Sequence, residues 1–258
     1  MNIAEKLEVL EKAIRAAGNN ALTLRKQGLS IETKGINDFV TQADLAVETE
    51  IKNVLSELFP KSGFLGEESG LTEGNEGVWV IDPIDGTTNY MQGMDYWCIS
   101  VAYVHNEQIE LGYIYAPDRD EFFSAKKGQG AWLNGKRLVM HNEEQGQAII
   151  GLGHSNRRPL SELVQLLKIL DKNGIEHRRF GAGALMLAHV ASGLVHGYFE
   201  AHLNSWDALA GLLLVEEAGG CAPDFLANNG LINGNPVWVS TPSLWPVLSS
   251  FSKQLSIQ

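Results

Sequence analysis

Four apolar residues, Val78-Trp79-Val80-Ile81, run directly into Asp82-Pro83-Ile84-Asp85-Gly86-Thr87-Thr88-Asn89. A short apolar run bounded by turn residues is the pattern of a buried strand. Pro83 has no N–H to give a central ladder, so the chain is expected to turn there. That turn sets two carboxylates at the mouth of a sheet. Gly86, Thr87 and Thr88 follow with small residues, hydroxyls and backbone N–H groups, which suit a phosphate if a short helix starts there.

Around this strand the periodicity predicts a helix over 3–28, a loop over Phe39–Thr41, a second helix from Asp44 to Leu58, and strands at 63–66 and 78–81. The segment 98–125 reads as an antiparallel meander, and Leu133-Asn134-Gly135-Lys136 as a tight hairpin turn. A polar stretch, His141–Gln147, marks a boundary between an N-terminal α+β half, 1–140, and a C-terminal α/β half, 148–258. In the second half strands at 148–152, 176–179, 194–200 and 237–240 alternate with helices at 161–172, 184–191 and 208–218. A short helix closes the chain.

At 258 residues, one compact unit built from two halves is expected. The net charge of −11 repels nucleic-acid phosphates, so a nucleic-acid partner is not expected. It repels any anionic substrate equally, and bound cations are the simplest local remedy. Cys98 and Cys221 are expected as two buried free thiols, and the seven histidines, without metal-like spacing, as structural or surface groups. The first residues read as an amphipathic helix and not as a signal peptide, and no apolar stretch is long enough to cross a bilayer, which predicts a cytoplasmic protein.

Acidic residues gather where elements end: Asp38 to Asp44, Glu67-Glu68, Asp82 with Asp85, and Asp207. Like charges this close repel unless a divalent cation lies between them. Oxygen donors without histidine or cysteine point to magnesium, with manganese as substitute. Asp82 is the natural bridge. Asp207 precedes an apolar helix and can cap it, and Thr41 or Asp44 can cap the second helix. Glu200, at a strand end, reads on position alone as an exposed charge.

Gly66-Glu67-Glu68-Ser69, Trp79 through Asn89, Gly128 through Gly135, and Trp206-Asp207 through Gly219-Gly220 together resemble the inositol monophosphatase family, within the lithium-sensitive, metal-dependent phosphatases. The resemblance covers nearly the whole chain. It implies a five-layered αβαβα sandwich, usually a homodimer, and hydrolysis of a small phosphate monoester such as myo-inositol 1-phosphate with two or three Mg2+ ions. It implies metal ligation by Glu67, Asp82, the Ile84 carbonyl, Asp85 and Asp207, with Glu68 beside them. Asp44 and Thr87 would orient and activate the attacking water, with Glu67 beside them in catalysis. Phosphate would lie on Gly86, Thr87 and Thr88, and substrate hydroxyls on Asp85, Gly181, Ala182, Glu200 and Asp207. Lys34 matches a loop residue able to approach metal or phosphate, although a solvated lysine fits as well. Arg178-Arg179 suit steering of an anion, a dimer contact or solvent.

Ala182 stands where relatives carry Ser or Thr, which removes a hydroxyl that can bond a polyol. The same chemistry on histidinol phosphate, fructose 1,6-bisphosphate, a nucleotide 3′-phosphate or NADP therefore stays open. So does a reading of another class, a binding partner of the transcription or RNA-processing machinery.

Overall fold

The structure is a computed structural model and describes residues 1–35, 38–141 and 148–254. The chain opens with α1 (Ile3–Gln27), the hairpin β1 (Ile31–Gly35) and β2 (Asp38–Thr41), and α2 (Gln42–Leu58). Then come β3 (Gly63–Gly66), β4 (Gly70–Thr72), β5 (Val78–Asp85) and the single turn α3 (Thr87–Met91). The meander is β6 (Cys98–His105), β7 (Gln108–Ala116), β8 (Glu121–Lys126), β9 (Gly130–Leu133) and β10 (Lys136–Leu138). Beyond it lie β11 (Ile149–Leu152), α4 (Leu160–Lys172), β12 (Glu176–Arg178), α5 (Gly183–Ala191), β13 (Gly197–Leu203), α6 (Ser205–Glu217), α7 (Gly230–Asn233), β14 (Asn235–Ser240) and α8 (Trp245–Gln254).

One sheet has eight strands in the order β10-β9-β8-β7-β6-β5-β3-β4, antiparallel except where β3 runs parallel to β5. A second has four, β12-β11-β13-β14, with β11 parallel to both neighbours. On one face of the large sheet lie α1 and α2, whose Leu10, Ile14, Ala17, Val47, Ile51 and Leu55 pack on Trp79, Ile81, Ile99 and Tyr113. Its other face carries Val80, Ala102, Ile114 and Phe123, covered by α5 and α6. Those two helices are buried nearly all round, because the small sheet presses Tyr198, Val237 and Val239 on their far side. Finally Ile150, Leu152 and Phe199 face Leu166 and Leu170 of α4 and Leu248 and Phe251 of α8. The layers run αβαβα, as the resemblance implied.

Strands buried on both faces explain the unbroken apolar run of Val78–Ile81. Asn134 and Gly135 take φ of 49° and 76° in the β9–β10 turn, as the Asn-Gly pair predicts. Phe39–Thr41, expected as a loop, is part of β2 paired with β1. The strand expected at 194–200 starts at Gly197 and runs on to Leu203, after a turn at Gly193 with φ 77°. Cys98 is buried, while Cys221 is only half-buried, and both are free thiols. No helix among the described residues is long and apolar enough to cross a membrane. Of the polar stretch expected to divide the chain, residues 142–147 lie outside the described residues.

Candidate active site

Pro83 does not end β5. The strand continues to Asp85, with Asp82 opposite Ser100 and Asp85 opposite Cys98, so Pro83 and Ile84 together face the single residue Ile99. This is a β-bulge, one of the few places where a sheet accepts proline. In a regular strand residues three apart point to opposite faces. The extra residue cancels that alternation and turns both carboxylates to one side. The expected turn is thus a bulge, and it does what the turn was expected to do.

Asp207 meets them from α6. That helix starts at Ser205, three residues earlier than periodicity suggested, and Asp207 lies in its first turn, accepting from Asn204 N–H at 3.3 Å and Asn204 Nδ2 at 3.4 Å. Asp82, Asp85 and Asp207 each bring an oxygen within 4.8 Å of the others. Asp85 also holds the start of α5: its carboxylate accepts from the N–H groups of Gly183, Ala184 and Leu185 at 3.0, 2.8 and 3.2 Å. Glu67 follows β3, with its N–H on Ile81 O at 3.1 Å, and stands outside the trio.

Burial, followed by the charges of Glu67, Asp207 and Asp85, pushes Asp82 well above the usual carboxylate range. Burial and then Asp207 push Asp85 up to about 7, against the pull of its three N–H donors. Burial raises Asp207 as well. No lysine, arginine or histidine among the described residues is ion-paired to any of the three. Two buried carboxylates and one half-buried, repelling one another, offering only oxygen and ion-paired to no base among the described residues, fit a hard divalent cation.

Asp44 lies in the first turn of α2. Its Oδ2 accepts from Thr41 N–H at 2.8 Å and from Thr41 Oγ at 2.7 Å, which closes the helix cap. Its Oδ1 stands 3.4 Å from Thr87 Oγ, which also reaches the Ile84 carbonyl at 3.0 Å. Capping and facing the site coexist here because a carboxylate has two oxygens. Burial raises Asp44, and the bonds from Thr41 oppose that.

Gly86 takes φ 88° and opens α3, a conformation that favours glycine. A Cβ there would lie 3.0 Å from the Ala182 Cβ and 3.3 Å from Gly181 O, so the turn at 86–88 packs directly on the segment 181–183. The Thr88 side chain is exposed.

Beyond these residues opens a cavity of about 220 Å3, lined among others by Asp85, Asp207, Gly181, Ala182, Glu200 and Arg179. Glu200 is no exposed strand end: it lies inside β13, 7% exposed, with Tyr198 OH donating to its Oε2. A one-residue register shift against β14 follows it, Glu200 facing Val237 and Leu203 facing Asn235. Burial pushes Glu200 up to about 8, while Tyr198 and Arg179 pull the other way. Of the arginine pair only Arg179 lines the cavity, since Arg178 turns to Glu176 at 3.2 Å. The Lys34 side chain lies outside the described residues.

Two further residues escaped sequence reasoning. His154 lines the cavity, so the histidines are not all remote from the site. Its signal was position, just past the end of β11, where ligands gather in parallel sheets. Glu48 is buried 3% exposed, with its Oε2 accepting from Glu68 N–H at 2.9 Å. Its signal was the four-residue spacing from Asp44, which puts both on one helix face.

The profile described as the inositol monophosphatase family matches residues 2–247. The inositol-1-monophosphatase of Mesorhizobium japonicum is 39% identical over 224 residues, 82% of this chain and 84% of that protein. Nus factor SuhB of Haemophilus influenzae is 37% identical over 244 residues, 92% of this chain and 91% of that protein. The crystal structure of extragenic suppressor protein suhB from Bartonella henselae matches with a TM-score of 0.88 at 32% identity, covering 95% of this chain and 97% of that one. Sequence, fold and the acidic cluster agree, and the chain belongs to the inositol monophosphatase family.

Proposed function

We propose that this chain is a magnesium-dependent phosphatase of small phosphate monoesters, inositol monophosphate foremost, working as a cytoplasmic homodimer. The observation that carries this reading is the convergence of Asp82, Asp85 and Asp207 within 4.8 Å beside a cavity that reaches Glu200. Asp82, Asp85 and Asp207, with Glu67 and the Ile84 carbonyl, would hold two or three Mg2+, or Mn2+ in their place. The bound metal supplies charge neutralisation and an acidified water.

The remaining work falls to the chain. Thr87 and Asp44 orient the water, and Asp44, raised by burial, takes its proton. Gly86, Thr87 and Thr88 carry phosphate oxygens on backbone N–H groups. Glu200, fixed by Tyr198, receives substrate hydroxyls together with Asp85, Asp207, Gly181 and Ala182. A cavity of about 220 Å3 suits one small ring better than a dinucleotide, since sites for larger ligands run to about 300–1,000 Å3.

Phosphate release from inositol monophosphate, histidinol phosphate, fructose 1,6-bisphosphate, a nucleotide 3′-phosphate and NADP, with magnesium, tests the reading. Inositol monophosphate is expected to give the highest kcat/KM, with inhibition by lithium. Comparable rates on all five defeat the narrow substrate, and no release from any defeats the hydrolase.

Relatives named Nus factor SuhB favour a second reading, a protein partner of the transcription or RNA-processing machinery, and so reopen the nucleic-acid question that charge alone answered in the negative. The −11 charge disfavours RNA contact but not protein contact. RNA polymerase retained by the Asp82→Asn variant in a pull-down would support it, and loss of all retention with the wild type would remove it.

A further inference from the structure

The turn at 86–88 and the wall at 181–183 come from segments almost a hundred residues apart, and one buried side chain ties them. Asn89 sits on α3, two residues beyond Thr87. Its Nδ2 donates to the Tyr96 carbonyl at 2.7 Å and to the Phe180 carbonyl at 2.7 Å. A side-chain amide nitrogen has two hydrogens, and both are used. Phe180 immediately precedes Gly181-Ala182-Gly183, and its ring packs on Tyr96 with centroids 4.6 Å apart. A Cβ on Gly181 would lie 3.5 Å from Asn89 Nδ2, and one on Gly86 3.2 Å from Tyr96 O. The two segments thus touch through glycines, with the amide of Asn89 wedged at their junction. Asn89 does not line the cavity.

We propose that Asn89 is a positioning residue that determines specificity. It fixes the distance between the phosphate-bearing turn, Gly86-Thr87-Thr88, and the hydroxyl-facing wall, Gly181-Ala182-Gly183. That distance selects the polyol phosphates able to engage both at once. The inference rests on the phosphatase reading above. A substrate that must reach both ends is sensitive to their separation, because a wrong separation costs it the contacts at one end. A short alkyl phosphate that engages only the turn is far less sensitive.

The test compares kcat/KM for inositol monophosphate with kcat/KM for a short alkyl phosphate, in the wild type and in Asn89→Ala. The ratio is expected to fall at least fivefold, with the loss for inositol monophosphate falling on KM more than on kcat. Phe180→Ala, which loosens the same wall from its exposed side without altering α3, is expected to move the ratio the same way and keeps the test open should Asn89→Ala fail to fold. A ratio that falls less than fivefold in the folded variant overturns the assignment, whatever happens to overall activity. Absence of phosphate release from both compounds by the wild type counts against the phosphatase itself, which separates the two failures.

Discussion

Asp44 offers Oδ1 to the Thr87 hydroxyl at 3.4 Å while Oδ2 is held by Thr41. One carboxylate therefore closes a helix cap and faces Thr87 at the start of α3. Asp44→Asn keeps the shape and most of the cap but loses the carboxylate proposed above as the base. We expect kcat to fall roughly 10²–10⁴-fold, the usual worth of a positioned base, with KM changed little. Stability should drop by no more than about 1 kcal/mol. Steady-state kinetics beside a thermal melt separates the roles, and an unchanged kcat would leave Asp44 a cap alone.

Asp82 is raised by burial and by three neighbouring acids. Replacing it with asparagine removes a buried charge that repels its neighbours. Asp82→Asn should abolish turnover yet melt higher than the wild type in chelator, since an uncompensated buried charge is costly. Magnesium should raise the wild-type melting temperature and barely move the variant's. Calorimetry with and without magnesium checks both.

The same repulsion predicts a pH dependence for the metal-free protein. Asp85 is raised to about 7 and Glu200 to about 8, so the folded state binds their protons more tightly than the unfolded chain does. Their contribution is fully present below about pH 4 and is lost as pH rises through 7 and 8. Melts in chelator should therefore fall between about pH 5.5 and about pH 8.5, by the equivalent of a few kcal/mol at most. Saturating magnesium should reverse that fall. A flat or rising profile in chelator would contradict the electrostatics described above.

Ala182 lines the cavity with its Cβ close to the space a Gly86 side chain would need. A hydroxyl added there is expected to turn toward the cavity. Ala182→Ser should raise kcat/KM for inositol monophosphate by about five- to tenfold, one ordinary hydrogen bond's worth. No gain would mean that the wall recognises substrate through its backbone.

Much of the site was legible because its residues are contiguous. Asp82 through Thr88 form one string, and strand periodicity placed it at a sheet end. The bulge at Pro83-Ile84 was not legible, since proline signals a break whether the ladder stops or merely widens. The strand end at Glu200 was misplaced for a related reason: a charge after Phe199 looks like a terminus unless β14 is known to pair beyond it. Asn89 was invisible as a participant, and for Glu48 the spacing from Asp44 gave the helix face but not the partner. Each acts on a main-chain group brought near only by tertiary packing, Phe180 O and Glu68 N–H, and local sequence carries no trace of such a partner. The middle helices posed the opposite case: α5 and α6 read plainly as helices, but only the second sheet explains why they are apolar all round.

Asp85 binds three N–H groups of α5, a helix made about a hundred residues later. During synthesis β5 leaves the ribosome with its acids well before α5 and Asp207 exist. The nascent chain therefore carries half of a site that nothing yet closes, and arrival of residues 183–207 both caps the helix and completes the acidic trio. A translation product stopped before Asp207 lacks both the third carboxylate and nearly all of α6, so the trio exists only once the chain has been made that far.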